Sequence, residues 1–141
     1  MARKIVGELF VSRTRFHHLW IYLASSEKGA IRVCVEMSAQ CEPDSFFAKM
    51  FPHRKIIEEK GANLALIHAV KSALTGKPVN MDIAIDVSLT PFQSMAYRTI
   101  SHIPYGHTRT YGEVARAMGR PKAARAVGQA MRSNPLPIIF P

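Results

Sequence analysis

Between Thr90 and Pro135, helix-starting and helix-stopping residues recur so closely that only short helices joined by tight turns fit the chain. Thr90-Pro91-x-Gln93 combines an N-cap hydroxyl, proline at the first helical position and a glutamine three residues after the cap, which predicts a helix start. Phe92, Met95, Ala96 and Ile100 supply the buried stripe of that helix. Pro104-Tyr105-Gly106 turns the chain, and Thr110-Tyr111-Gly112-Glu113 forms a second capping box, opening a helix that lasts to about Met118 and ends at Gly119. Pro121 opens the next helix, which runs to about Arg132 before Asn134-Pro135 forbids continuation. Two short helices joined by a tight turn form a helix-turn-helix candidate.

The preceding segment reads differently. From Ile5 to about Met37, apolar and polar residues alternate in Gly7-Glu8-Leu9-Phe10-Val11, Leu19-Trp20-Ile21-Tyr22-Leu23 and Ile31-Arg32-Val33-Cys34-Val35, broken at Ser25-Ser26-Glu27-Lys28-Gly29, which predicts strands and hairpins. Pro43 and Asp44 open a short helix through Met50. A longer helix follows, because Ile56, Ile57, Leu64, Ile67, Val70 and Leu74 fall near a 3.6-residue period and Thr75-Gly76-Lys77-Pro78 ends it. A short strand is expected over Asp82–Val87. The fold class is therefore α+β: a small strand-and-helix domain at residues 1–88, then a helical helix-turn-helix domain at 89–141.

With 141 residues and 48% hydrophobic content the chain can bury a core. No apolar run approaches the roughly 20 residues of a membrane-spanning helix, and the N-terminal segment lacks the apolar stretch of a secretory signal, so the expectation is an intracellular, cytoplasmic protein, nuclear in a eukaryote, with no membrane partner. Cys34 and Cys41 match neither a disulfide framework nor a zinc spacing and are read as reduced structural thiols. His17, His18, His53, His68, His102 and His107 belong to no recognisable motif, and surface or capping roles suit them.

Charge is placed unevenly within the net +9. Residues 1–90 carry 12 Lys and Arg against 9 acids, whereas residues 91–141 carry 7 against Glu113 alone. A basic second half suits a surface facing phosphates, although basic surface also serves solubility. On the wheel of the last helix, Ala123, Ala124, Val127, Ala130 and Met131 form a core side, and Arg125, Gly128, Gln129 and Arg132 an outer side. Mid-helix Gly128 costs roughly 1 kcal/mol relative to alanine, so a compensating reason is expected, and close approach of another surface is one. DNA in the minor groove and tight helix–helix packing both satisfy that expectation.

Taken in order, Thr90-Pro91-Phe92-Gln93, Ile103-Pro104-Tyr105-Gly106, Thr110-Tyr111-Gly112-Glu113-Val114-Ala115, Ala123-Ala124-Arg125-Ala126-Val127-Gly128 and Asn134-Pro135-Leu136-Pro137-Ile138-Ile139-Phe140-Pro141 resemble the catalytic domain of the O6-alkylguanine-DNA alkyltransferases, also called methylated-DNA–protein-cysteine methyltransferases. The resemblance covers residues 90–141 strongly and 1–89 loosely. In that family the Asn-Pro-x-Pro-Ile-x-x-Pro run leads into Cys-His-Arg, whose cysteine takes the alkyl group. The resemblance thus places the nucleophile directly after Pro141 and makes residues 1–141 by themselves inactive; Cys34 and Cys41 lack the flanking residues to replace it. It also implies a monomer that needs no cofactor or metal, binds double-stranded DNA through the minor groove and acts on alkylated guanine.

By the same resemblance, Ala123, Ala124, Arg125, Ala126, Gly128, Gln129, Arg132 and Tyr111 contact DNA. Arg125 fills the hole left by a flipped base and Tyr111 helps rotate the 3′ phosphate of the target nucleotide. Asn134 organises the segment beside the nucleophile, and Tyr111, Asn134 and Pro137 border the base pocket. Read from the residues alone, Tyr111 could instead pack on the core as an aromatic at a helix N-terminus, and Asn134-Pro135 could simply end a helix before a buried strand, Ile138-Ile139-Phe140. Two other functions compete: a non-catalytic alkyltransferase-like lesion binder, with tryptophan in place of the cysteine, and a helix-turn-helix regulator.

Overall fold

A computed structural model describes residues 7–77 and 83–140 of the protein. Ile5, Pro78, Asp82 and Pro141, named in the expectations above, lie outside the described residues. The chain divides into two compact units, Met1–Val87 and Ser88–Pro141. The architecture is α+β, and among the described residues no helix is long and apolar enough to cross a membrane.

In the first unit the alternating segments form β1 (Glu8–Phe16), β2 (Leu19–Ser26) and β3 (Gly29–Glu36), a meander joined by two-residue turns. His17 takes a left-handed backbone with φ 53°, as a tight hairpin connection requires, which gives the His17-His18 pair its place. Helix α1 (Pro43–Ala48) begins with proline, and β4 (Lys55–Glu58) then pairs in parallel with β1, giving the sheet order β3-β2-β1-β4. Leu9, Val11, Tyr22 and Ala24 share one sheet face and pack against Phe47 of α1. Phe46 stacks on Tyr22 at 4.1 Å between ring centroids, and the Tyr22 hydroxyl donates to the Cys41 carbonyl at 2.7 Å. Cys34, opposite Tyr22 in the ladder, is half-buried, and burial raises its thiol pKa, which keeps the thiolate scarce.

Two expectations change here. Ile56 and Ile57 belong to β4, and the helix, α2, spans only Leu64–Leu74 after a 3-10 turn at Gly61–Asn63. Ladder partners on β1 win those isoleucines from the helical period. The expected strand ending at Val87 reduces, in its described part, to one bridge between Ala30 and Ile85. Gly29 makes that bridge possible, since a Cβ there would lie 2.4 Å from the Ala84 backbone.

The second unit contains α3 (Pro91–Ser101), α4 (Tyr111–Ala117) and α5 (Ala124–Arg132) around Ile100, Val114, Ala115 and Val127. On α3, Ala96 and Ile100 are buried as expected, but Met95 is 39% exposed and Tyr97, absent from the expected stripe, is 1% exposed. The last helix starts at Ala124 rather than Pro121, because Pro121 and Lys122 lie in the turn that leads from α4.

Phe47→Ala should destabilise the first unit by about 3–5 kcal/mol, the usual cost of emptying a large aromatic site in a core. Chemical denaturation followed by Trp20 fluorescence checks this, since Trp20 packs against the same cluster; an unchanged midpoint would contradict it.

Candidate nucleic-acid interface

The two capping boxes set where α3 and α4 begin. Thr90 Oγ1 accepts from the Gln93 amide at 3.1 Å while Gln93 Oε1 accepts the Thr90 N–H at 3.0 Å. Thr110 and Glu113 repeat the exchange at 3.1 and 2.6 Å. The Thr110 backbone N–H, foremost, holds the Glu113 carboxyl below the ordinary carboxylate range, with smaller help from Arg109 and Arg116. Helix α4 stops at Gly119, φ 72°, where the Arg120 N–H reaches the Ala115 carbonyl and the Gly119 N–H the Arg116 carbonyl, each at 2.9 Å. That double closure satisfies the last carbonyls of α4 and turns the chain sharply into α5.

Helix α5 presents two sides. Val127 and Ala130 are buried, whereas Arg125, Gln129 and Arg132 are exposed. Its mid-helix glycine is filled from within the protein: a Cβ at Gly128 would lie 3.0 and 3.1 Å from Cε2 and Cδ2 of the Tyr111 ring. Tyr111, the first residue of α4, therefore brings the Cδ2–Cε2 side of its ring against α5 at Gly128, still 53% exposed. Around this contact an open concavity of about 440 Å³ is lined by Tyr111, Arg125, Gly128, Gln129, Met131 and Arg132. Met131, assigned to the core side from the wheel, both borders this concavity and packs on the core. Ala123, Ala124 and Ala126 are half-buried along α5 and do not line it.

Beyond α5 the chain closes a turn instead of the strand expected over Ile138-Ile139-Phe140. The Phe140 N–H reaches the Leu136 carbonyl at 2.9 Å. Asn134 supports this turn at both ends: its side-chain oxygen accepts the Leu136 N–H at 3.0 Å, and its amide nitrogen donates to the Phe140 carbonyl at 2.7 Å. Ile138 sits at φ 78°, a left-handed conformation that a β-branched residue adopts only under constraint. Pro137 belongs to this turn, half-buried, and neither it nor Asn134 borders the α4–α5 concavity.

One side chain missed from the sequence, Tyr97, and one read there only as a cap, Gln93, hold this arrangement. Tyr97 donates its hydroxyl to the Ala130 carbonyl at 2.6 Å and stacks on Phe140 with centroids 5.1 Å apart. Gln93, already committed to its cap, also donates to Ser133 Oγ at 3.3 Å, joining the start of α3 to the end of α5. The exposed cations Arg98, Arg109, Arg116, Arg120, Lys122, Arg125 and Arg132 share the unit with one acid, and among the described residues both salt bridges lie in the first unit.

Residues 91–141 match the family model described as the 6-O-methylguanine DNA methyltransferase DNA-binding domain. A methylated-DNA–protein-cysteine methyltransferase of Methanosarcina acetivorans is 42% identical over 72 residues, 51% of this chain and 46% of that protein. The inducible methyltransferase of that name from Bacillus subtilis is 29% identical over 133 residues, 94% of this chain and 74% of its own length. A crystal structure of a Mycobacterium tuberculosis OGT variant superposes with a TM-score of 0.69 at 30% identity, covering 94% of this chain and 75% of that one. The chain belongs to this methyltransferase family. A second structure, of Mycobacterium tuberculosis OGT in complex with DNA, has a TM-score of 0.67 at 26% identity and covers 95% of this chain and 74% of that one. The chain spans about half the length of curated relatives it matches, 46% of the Methanosarcina acetivorans protein and 50% of a methylated-DNA–protein-cysteine methyltransferase of Mycobacterium bovis that is 39% identical over 83 residues.

Within the family domain, Asn134→Ala should remove both supports of the Leu136–Phe140 turn, each worth about 1 kcal/mol, and expose a strained backbone. Amide exchange at Leu136 and Phe140 should quicken well before exchange in α3, and equal rates in the variant would refute that assignment. Glu113 gives a pH test. Its folded pKa is depressed, so the stability it adds is present above the ordinary carboxylate value near 4.3 and is lost as pH falls through the lower folded value. Glu113→Gln keeps an acceptor oxygen and removes the titration. Melts from about pH 7 to about pH 2 should show the wild-type advantage vanish on acidification, whereas a difference constant with pH would remove the charge from the account.

Proposed function

We propose that the protein repairs DNA by taking the alkyl group of O6-alkylguanine onto its own cysteine, expected directly after Pro141. The single observation that carries this reading is the convergence of Tyr111, Arg125, Gly128, Gln129 and Arg132 on one open concavity of a basic helix-turn-helix. A dressed helix is about 10–12 Å across and the minor groove about 6 Å wide, so a helix that enters it needs small residues among its arginines. Ala123, Ala124, Ala126 and Gly128 are such residues, set beside Arg125 and Arg132. Arg125 enters the stack and replaces the extruded base, which offsets part of the few kcal/mol that flipping costs.

Asn134 and Pro137 then shape the segment that delivers the nucleophile, the first by its two hydrogen bonds and the second as a stiff apolar wall beside the base. In the transfer step the thiol gives up its proton, and the thiolate sulfur bonds to the alkyl carbon as the bond from that carbon to O6 breaks. The guanine takes up a proton and leaves as the normal base. The thioether is stable, so each molecule acts once, and no cofactor enters the balance.

With labelled O6-methylguanine in duplex DNA, the full-length protein should take up one equivalent of methyl group and stop; turnover, or label on Cys34 or Cys41, would overturn the reading. Arg125→Ala should slow reaction on duplex DNA far more than on the free alkylated base, and equal losses would make Arg125 a pocket or core residue. Arg132→Glu should weaken binding to all duplexes alike and flatten the salt dependence, whose log–log slope is near −0.9 for each phosphate neutralised. A loss confined to one sequence would favour a regulator.

A further inference from the structure

We infer that Gly128 is a seat for Tyr111, a positioning residue whose missing side chain fixes that ring between Arg125 and Arg132. This deepens the proposed DNA reading and rests on it. Gly128 lies three residues after Arg125 and four before Arg132, so the two arginines flank it on the same helix face, one turn to each side. Into the gap between them comes the Tyr111 ring, with Cε2 and Cδ2 at 3.0 and 3.1 Å from where a Cβ would stand and Cζ at 3.8 Å. Ordinary carbon contacts are about 3.5–4.0 Å, so a side chain at position 128 must move the ring by a few tenths of an ångström.

The geometry departs from what tight helix packing alone would need. The three atoms nearest to a Cβ at Gly128 all belong to one aromatic side chain, which remains 53% exposed and borders the same concavity as both arginines. A half-exposed ring contributes little core, yet here a helix interior is weakened to admit it. The consequence is a preset group of one hydroxyl and two guanidiniums, all facing the side from which a polyanion would approach. Holding the ring in advance removes rotamer freedom that binding would otherwise have to freeze. Tyr111 begins α4 and Gly128 sits in α5, so the contact also registers the two helices of the motif at the point where they would meet DNA.

The test is a double-mutant cycle in the full-length protein with Gly128→Ala and Tyr111→Ala, reading single-turnover rates on duplex DNA and on free O6-benzylguanine. Gly128→Ala should melt no lower than wild type, because alanine is the better helix former and an exposed ring can yield. Its duplex-to-free-base rate ratio should fall by up to about tenfold, short of the roughly hundredfold expected for misplacing a group by a full ångström. In the Tyr111→Ala background the same change should produce no further fall. A full additional fall there would mean that DNA itself occupies the Gly128 gap, and a lowered melting temperature with equal losses on both substrates would return the glycine to helix packing. A second measurement stands apart from activity: with ring-labelled tyrosine, the Tyr111 resonances should shift on Gly128→Ala, and unmoved resonances would overturn the seat. Should wild type fail to react with duplex DNA while those resonances do shift, the seat would hold and the proposed function would fall.

Discussion

The hydrogen bond from the Tyr97 hydroxyl to the Ala130 carbonyl, 2.6 Å long and buried, is the joint on which the second unit depends. It joins α3 to the last turn of α5, where helical carbonyls lack partners of their own. The same ring stacks on Phe140, so one side chain fixes both α5 and the turn beyond it. Ser133 adds a second tie at the same turn, sharing its hydroxyl proton between the Gln129 and Ala130 carbonyls while accepting from Gln93. Because the inner side of α5 is held at these points, the outer side can carry exposed arginines and a glycine without losing its place.

Local signals were legible in the sequence and long-range ones were not. Thr90 with Gln93 and Thr110 with Glu113 announce helix starts because the bonds that make a capping box span three residues. Gly119 likewise ends α4 by its own backbone preference. Ile56 and Ile57 misled because two adjacent isoleucines suit a helix face and a short strand equally, and their β1 partners lie nearly fifty residues earlier. Pro121 suits the first turn of a helix, yet it also suits a tight turn, and the closure of α4 on Arg120 decides for the turn. Gly128 could be recognised as a position where something must approach. That the visitor is Tyr111, seventeen residues earlier, required the packing of α4 on α5.

The charge pattern gains meaning from the same geometry. Glu113, the one acid after Asp86, directs its carboxylate at the Thr110 N–H, so its charge is committed to the cap of α4. The seven cations of the unit keep their exposure and have no buried anion competing for them. A surface of this kind attracts polyanions by releasing their counterions, and it does so whether or not any one arginine is well placed. Placement is what the Tyr111–Gly128 contact adds, by fixing a polar group among charges that would otherwise act only by their number.

The turn after α5 is where stability and the proposed chemistry meet. A left-handed isoleucine costs of order 1–3 kcal/mol and persists only where its surroundings over-determine it. Three hydrogen bonds do so here: two from Asn134 and one between Phe140 and Leu136. Leu136 and Phe140, both buried, anchor the ends of the strained segment in the core. An extended strand over Ile138–Phe140 would relieve Ile138 but would break the Phe140 bond to Leu136 and disturb both the Asn134 closure and the stacking on Tyr97. The strain is thus a consequence of fixing Phe140, and whatever follows Phe140 in the chain leaves from a carbonyl held at 2.7 Å by Asn134. If that continuation carries the alkyl acceptor, the acceptor's direction is set by a core contact and an amide bond, both outside the α4–α5 concavity.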